Sequence, residues 1–234
     1  MINDMLNNNN LGFVEVRELL GLSEPSEIEE LYQAAYKVKV DTVGPKLNIR
    51  GLIEFSNICN KDCKYCGLRC SNKQVNRYEL SVDEIMTAVE IAHKHRMGSL
   101  VLQSGERSDK KFIDYVAEVL STIKNKYGEE FHVTLSSGEQ DYQTYVKWRE
   151  AGADRYLLRI ETSNRDLYSR IHPANKMHNF DRRLECLGFL RDAGYQVGSG
   201  ILIAVPYQTI DILVEDLLFL KKLDIDMVGM GPIS

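Results

Sequence analysis

From Gly51 onward the chain alternates short apolar runs with longer amphipathic stretches, and this alternation restricts the fold more than any other feature. Runs rich in β-formers separated by helix-period segments encode a parallel sheet with crossover helices. The apolar runs predict six strands, at Leu52–Phe55, Ser99–Gln103, His132–Ser136, Tyr156–Ile160, Val197–Val205 and Met227–Met230. Between them the periodicity predicts helices over Ser81–His95, opened by a capping box of Ser81 and Glu84, and over Lys110–Tyr127, Tyr142–Ala151, Phe180–Ala193 and Ile210–Leu223. Gly98, Gly128, Gly152 and Gly194 fall where helices end or the chain returns tightly. The expected fold is α/β, a TIM-like barrel or an open three-quarter version of one. A doubly wound sheet competes, but no G-x-G-x-x-G follows any strand.

Upstream, residues 1–12 with the run Asn7 to Asn10 are expected to form a flexible tail. Residues 13–50 are expected to form a helical segment that plugs one end of a barrel domain at 51–234. Its first helix spans Val14–Leu22. Its second is opened by a capping box of Ser26 and Glu29 after Pro25, with Ile28, Leu31, Ala35 and Val38 on one face. The sequence reaches Gly231-Pro232-Ile233-Ser234 directly after the sixth strand, so a C-terminal part of the barrel is expected to be missing from it.

With 234 residues, 44% of them hydrophobic, the chain is long enough for one domain with a full core. A net charge of −5 gives no basic field for gripping a phosphate backbone, so a small molecule is the expected partner rather than nucleic acid. No apolar run approaches the roughly 20 residues that span a bilayer, and no signal peptide opens the chain, so a cytoplasmic location without a membrane partner is expected. Five cysteines, four of them at positions 59, 63, 66 and 70, fit metal binding better than a disulfide framework.

Barrels place reactive residues at the C-terminal ends of strands. Cys59, Cys63 and Cys66 stand there after the first strand, spaced C-x-x-x-C-x-x-C. Three soft thiolates on one loop can hold one face of an iron–sulfur cube and leave its fourth iron without a protein ligand. The alternative is a closed, non-catalytic zinc site completed by Cys70, although four ligands so close together are sterically tight. Otherwise Cys70 is an unliganded thiol, and Cys186 a small hydrophobe on a helix face. At the end of the second strand stand Ser104, Gly105 and Glu106, which could also form an ordinary strand-to-helix turn. Ser137 and Glu139 follow the third strand, where lining the cavity and capping a helix are both open. On the fourth, Arg159 and Glu161 alternate with apolar residues, so facing the lumen they need partners, either a ligand or each other. The histidines at 93, 95, 132, 172 and 178 show no metal-ligand spacing and read as surface or packing residues.

The loop Glu54-Phe55-Ser56-Asn57-x-Cys59-x-x-x-Cys63-x-Tyr65-Cys66-Gly67-Leu68-Arg69 resembles radical S-adenosylmethionine enzymes. The branch is the one holding biotin synthase, methylornithine synthase and the FeFe-hydrogenase maturase HydE. Three segments, Val101 to Glu106, Ala153 to Thr162 and Asp226 to Pro232, look most like HydE. The resemblance implies a 4Fe–4S cluster on Cys59, Cys63 and Cys66, whose open iron is chelated by S-adenosylmethionine, and reductive cleavage of that cofactor to methionine and a 5′-deoxyadenosyl radical.

It also implies that Ser104, Gly105 and Glu106 receive the cofactor's ammonium and that Tyr65 packs on its adenine. Glu161 would reach its ribose or amino acid part, and Arg183 would bind its carboxylate, unless Arg183 is a solvated helix residue. Arg159 would hold an anionic group in the cavity, with Glu161 and Arg159 the catalytic pair, and Ser137 and Met230 would complete the cofactor site. Implied partners are a small-molecule or organometallic substrate, namely a cysteine-ligated iron carbonyl cyanide species, an electron donor such as ferredoxin or flavodoxin, and other hydrogenase maturases. A methylornithine-synthase-like mutase or a biotin-synthase-like sulfur enzyme is the alternative within the same chemistry, the former through Cys70 to Lys73 and Asn76 to Tyr78. The chain departs from the family pattern at Ala204 and Tyr207, which replace glycines, and at Ile160, where HydE usually carries histidine.

Overall fold

A computed structural model describes residues 5–6 and 10–232. Most of the expected tail, and Ile233 and Ser234, lie outside the described residues. The six expected strands form one parallel sheet: β1 (Gly51–Ser56), β2 (Ser99–Ser104), β3 (His132–Ser136), β4 (Arg155–Leu157), β5 (Gln196–Ile203) and β6 (Met227–Pro232). They pair in sequence order, β1-β2-β3-β4-β5-β6, with no reversal. That order is singly wound, as in a barrel, and lacks the switch point of a doubly wound sheet. Among the described residues β1 and β6 each pair on one side only, so the sheet is open.

Two helices precede the sheet, α1 (Phe13–Leu20) and α2 (Pro25–Val43). The connecting helices are α3 (Val82–Lys94), α4 (Lys110–Tyr127), α5 (Tyr142–Glu150), α6 (Arg165–Ile171), α7 (Phe180–Asp192) and α8 (Ile210–Lys222). Each starts where its sequence supplies a cap. The Ser81 hydroxyl accepts from Glu84 N while Glu84 reaches back to Ser81 N, the expected capping box, and Asp109, Asp141, Asn164, Asn179 and Thr209 cap the others. The core lies between sheet and helices. Trp148, fully buried, lies parallel to Tyr156 with centroids 6.4 Å apart and donates its indole N–H to Ile113 O at 3.0 Å.

Three expectations are corrected. Among the described residues the two N-terminal helices form no plug: α1 packs on α8, with Arg17 2.6 Å from Asp211, and α2 buries none of its residues. The α2 capping box is absent as well, because Pro25 occupies the first helical position after Glu24 and moves the helix start forward. The fourth strand ends at Leu157 rather than Ile160. Beyond it the chain still follows β5, with Leu158 N and Glu161 N donating to Gly198 O and Gly200 O, but between them Ile160 N donates to the Ser199 hydroxyl, and Glu161 turns to φ +69°. A side-chain acceptor thus interrupts the ladder, and the strained backbone there aims Glu161.

Candidate active site

The cysteine loop leaves β1 and folds back across the end of β2. Asn60 N donates to Glu106 O at 2.9 Å, Gly105 N donates to Ser56 O at 3.0 Å, and a Cβ at Gly105 would collide with Ile58 O. Gly105 is therefore required by this close approach. Gly138, at φ +77°, serves the same end from β3, since a Cβ there would strike the Glu106 side chain. The other flank of the loop is pinned by Arg77, whose guanidinium donates to Asn57 O, Leu68 O, Arg69 O and Asn72 O.

Two backbone N–H groups, of Lys61 at 3.4 Å and Glu106 at 3.3 Å, donate to Cys59 Sγ, an environment that suits a thiolate. Burial acts against ionisation, pushing Cys63 up to about 11 and raising Cys59. Metal loading would then displace protons and supply the missing positive charge. The Cys70 thiol stands near the Asp62 carboxylate and, after Ser71, helps to hold it below the usual carboxylate range. Among the described residues no three His, Cys, Asp or Glu side chains converge as one ion requires. A cube takes one thiolate per iron and needs no such convergence, so the three thiols fit a cluster better than a zinc ion.

Beside the thiols lies a cavity of about 390 Å³, lined among others by Tyr65, Ser104, Gly105, Glu106, Arg159, Glu161 and Arg183. Its wall carries a square of alternating charge. Lys61 Nζ is 3.0 Å from both Glu106 Oε1 and Glu139 Oε2, and it also donates to Met177 O. On the opposite side Arg183 Nε is 2.9 Å from Glu139 Oε1, and Arg183 Nη2 is 3.6 Å from Glu106 Oε2. Burial raises the Glu106 carboxyl while Arg183 and Lys61 oppose it. Against its own burial, Arg183 is held charged by Glu139 and Glu106. Arg183 is thus no solvated helix residue, being only 7% exposed.

Also on the cavity, Arg159 Nε stands 3.2 Å from Glu161 Oε2, the ion pair left open by sequence, and Arg159 Nη2 donates to Ile201 O at 2.6 Å. Burial raises Glu161, against the pull of Arg159 and Arg183. Four of these buried atoms, Glu139 Oε1, Glu161 Oε2, Arg159 Nε and Arg183 Nε, sit within ion-pair range but make no aligned hydrogen bond. Of these residues Arg159, Glu161 and Arg183 line the cavity, and charged groups of both signs without aligned hydrogen bonds fit a zwitterionic, hydroxyl-bearing ligand such as S-adenosylmethionine.

Ser137 stands behind the wall, its Oγ 3.0 Å from Ser104 Oγ. Met230 is a correction: it is half exposed and lies with Leu217, Leu220 and Ile225 in a surface groove beside β6, outside this cavity. Sequence reasoning missed Lys61, whose burial no local pattern signals. It also undervalued His172 and His178. These belong to a strap, residues 170–178, that holds the cysteine loop from the far side. Ile171 O and Arg170 O accept from Lys64 N and Nζ, and Met177 O accepts from Lys61. His178 Nε2 accepts from Asp62 N at 3.0 Å, and His172 Nε2 lies 3.3 Å from the Tyr65 hydroxyl. Both Nδ1 atoms face oxygen acceptors, Tyr168 O and Asn175 Oδ1, which fixes each Nε2 as an acceptor. The other three histidines are exposed, as expected.

The Radical SAM superfamily model matches residues 53–220. The chain is 44% identical over 218 residues to the [FeFe] hydrogenase maturase subunit HydE of Thermotoga maritima, covering 93% of this chain and 60% of the relative. It is 30% identical over 217 residues to the 3-methylornithine synthase of Methanosarcina acetivorans, covering 92% and 59%. The crystal structure of methylornithine synthase (PylB) superposes with a TM-score of 0.89 at 28% identity, covering 100% of this chain and 67% of that one. The chain thus spans about three fifths of the length of the curated relatives it matches.

Proposed function

This chain belongs to the radical SAM superfamily, and we propose that it is an enzyme of the HydE type, acting in assembly of the diiron cofactor of FeFe-hydrogenase. The observation that carries this reading is the three-thiol loop closed onto Gly105 and Glu106 beside a cavity of buried, unaligned carboxylates and guanidinium groups.

Cys59, Cys63 and Cys66 would hold a 4Fe–4S cluster. When bound, the reduced cluster and S-adenosylmethionine supply homolysis of the sulfonium S–C5′ bond, giving methionine and a 5′-deoxyadenosyl radical. The chain's own residues bind, orient and exclude water. Glu106 with the Ser104–Gly105 backbone receives the cofactor's ammonium, and Arg183 its carboxylate. Glu161 accepts from ribose hydroxyls, Tyr65 packs on the adenine, and Ser137 props Ser104. Arg159 holds an anionic group of the substrate, for which a cysteine-ligated iron carbonyl cyanide species has suitable charge. A one-electron carrier such as ferredoxin or flavodoxin and other hydrogenase maturases are the proposed partners. The proposed catalytic unit is residues 51–234, with 13–50 as an accessory helical segment. Among the described residues no helix is long and apolar enough to cross a membrane, and the five unpaired cysteines suit a reducing cytoplasm.

After anaerobic reconstitution, dithionite and S-adenosylmethionine should yield methionine and 5′-deoxyadenosine in equal amounts. Neither product from protein holding about four irons would overturn the reading. A methylornithine-synthase-like mutase is the second reading, favoured by the fold match and by the stretches Cys70 to Lys73 and Asn76 to Tyr78. Isomerisation of lysine by the loaded protein would decide for it.

A further inference from the structure

One cross-strand row on the inner face of the sheet has no part in holding the cluster or its cofactor. Ile53 and Phe55 are buried in the core between sheet and helices, so alternation turns Glu54 to the other face, where it lines the cavity. The register sets Glu54 beside Gln103 on β2 and Gln103 beside Ser136 on β3, and all three line the cavity. Pairing of Leu135 with Tyr156 leads from Ser136 to Leu157 on β4, and the row continues through Gly198 on β5 to Met227 on β6. A Cβ at Gly198 would lie 3.0 Å from both Leu157 Cδ1 and Met227 Cε, so the glycine lets these two apolar side chains meet. The row is therefore polar across β1 to β3 and apolar across β4 to β6.

Glu54, Glu106 and Glu161 all bring carboxylates to the cavity. Glu106 is 3.0 Å from Lys61 and Glu161 is 3.2 Å from Arg159, but Glu54 pairs with no cation among the described residues. Among the same residues, neither its carboxylate nor the side chains of Gln103 and Ser136 have a hydrogen-bond partner. Neighbouring strands lie about 5 Å apart, so the Glu54 carboxylate and the Gln103 amide oxygen can accept from one and the same group. A primary ammonium, with one positive charge and three N–H donors, matches them. A hard divalent cation would need more charged oxygens than this row holds. Two residues beyond Leu157, Arg159 presents the opposite charge to the same cavity.

We propose that this row seats the substrate: Glu54, with Gln103, receives a primary ammonium, Leu157 and Met227 pack on an aliphatic segment, and Arg159 takes the anionic group. The substrate class is then an aliphatic amino acid, or a complex that carries one, rather than an inorganic anion alone. The proposal rests on the function proposed above, which gives Glu106, Glu161 and Arg183 to the cofactor and leaves Arg159 for the substrate. Glu54 binds and does not react, and its bond to the ammonium is charge-assisted.

The test uses the full chain, before and after anaerobic reconstitution, and three probes with the same aliphatic body: hexanoate, L-norleucine and 6-aminohexanoate. They carry no ammonium, an α-ammonium and a terminal ammonium. In NMR-detected titrations of the wild type, one of the two ammonium-bearing probes should bind about tenfold more tightly than hexanoate. An α-ammonium preference fits a cysteine-ligated substrate, and a terminal one fits lysine; either supports the seat. Glu54→Gln should abolish the preference and leave hexanoate affinity within about twofold. Because Glu54 is exposed and unpaired, the same variant should unfold at an unchanged urea midpoint. Its affinity for S-adenosylmethionine after reconstitution should also stay within about twofold. Leu157→Ala should weaken all three probes alike. A wild type without the ammonium preference, or a preference that survives Glu54→Gln, would overturn the proposal. So would loss of S-adenosylmethionine binding in Glu54→Gln as large as the loss of the probe, since Glu54 would then serve the cofactor. A wild type that binds neither cluster nor S-adenosylmethionine, yet keeps the Glu54-dependent preference, would instead overturn the proposed function itself.

Discussion

Lys61 is the residue on which the cysteine loop, β2, β3 and the strap converge, since its ammonium meets Glu106, Glu139 and Met177 O at once. Removing one member of a buried ion set leaves its partners uncompensated, so Lys61→Met should destabilise the protein by about 3–5 kcal/mol, read from urea unfolding. His172 gives a pH prediction. Burial, with Arg183, His178 and Lys61 nearby, lowers its pKa to about 3, against the opposing bond to Tyr168 O. The folded pKa lies below the unfolded one of about 6.5, so between these values the unfolded chain binds more protons and stability falls as pH falls. From pH 7 to pH 5 this group alone should cost about 2 kcal/mol, and His172→Gln, which keeps an acceptor for Tyr65, should flatten the profile by that amount. Ala204, at φ +63° after β5, holds a left-handed backbone where the family pattern has glycine. Ala204→Gly should therefore stabilise by about 0.5–1 kcal/mol in the same assay, and Ala204→Val should destabilise.

Among the elements, those with strong periodicity and a cap were legible from sequence. α4 appears at its predicted bounds, with Asp109 capping and Phe112, Val116, Val119, Leu120 and Ile123 buried on one face. What local pattern could not show were features settled by distant partners. β4 stops early because Ser199, on β5, supplies a hydroxyl where a carbonyl would continue the ladder. α6 is short and lies in a stretch without clear period, yet it carries the strap that holds the thiol loop. The chain after Glu161 is fixed by Asp216 on α8, a fully buried carboxylate that accepts from Ser163 N at 2.5 Å, Ser163 Oγ at 2.7 Å and Thr162 Oγ1 at 3.1 Å. Asp216→Ala strands these donors and should cost about 2–3 kcal/mol in unfolding free energy. Hydrogen exchange at Ser163 N should accelerate in that variant while the β2 amides stay protected.

At the scale of the whole molecule, parallel strands in sequence order gather the ends of β1 to β5 around one cavity. The cysteine spacing and the strand-end residues were visible in sequence because the chemistry demands particular side chains at particular turns. Lys61 and the two strap histidines were harder to find because their importance comes from burial and convergence, and Met230 was misplaced because neighbouring positions on β6 face opposite ways. In the proposed site Cys59, Cys63 and Cys66, without Cys70, hold a 4Fe–4S cluster. The direct measurement is iron and acid-labile sulfide per chain after anaerobic reconstitution of four single variants, Cys59→Ala, Cys63→Ala, Cys66→Ala and Cys70→Ala. The wild type and Cys70→Ala should each bind about four of both, and each of the other three should lose most of them. Bound zinc without sulfide, or a loss in Cys70→Ala as large as in the other three, would contradict the claim.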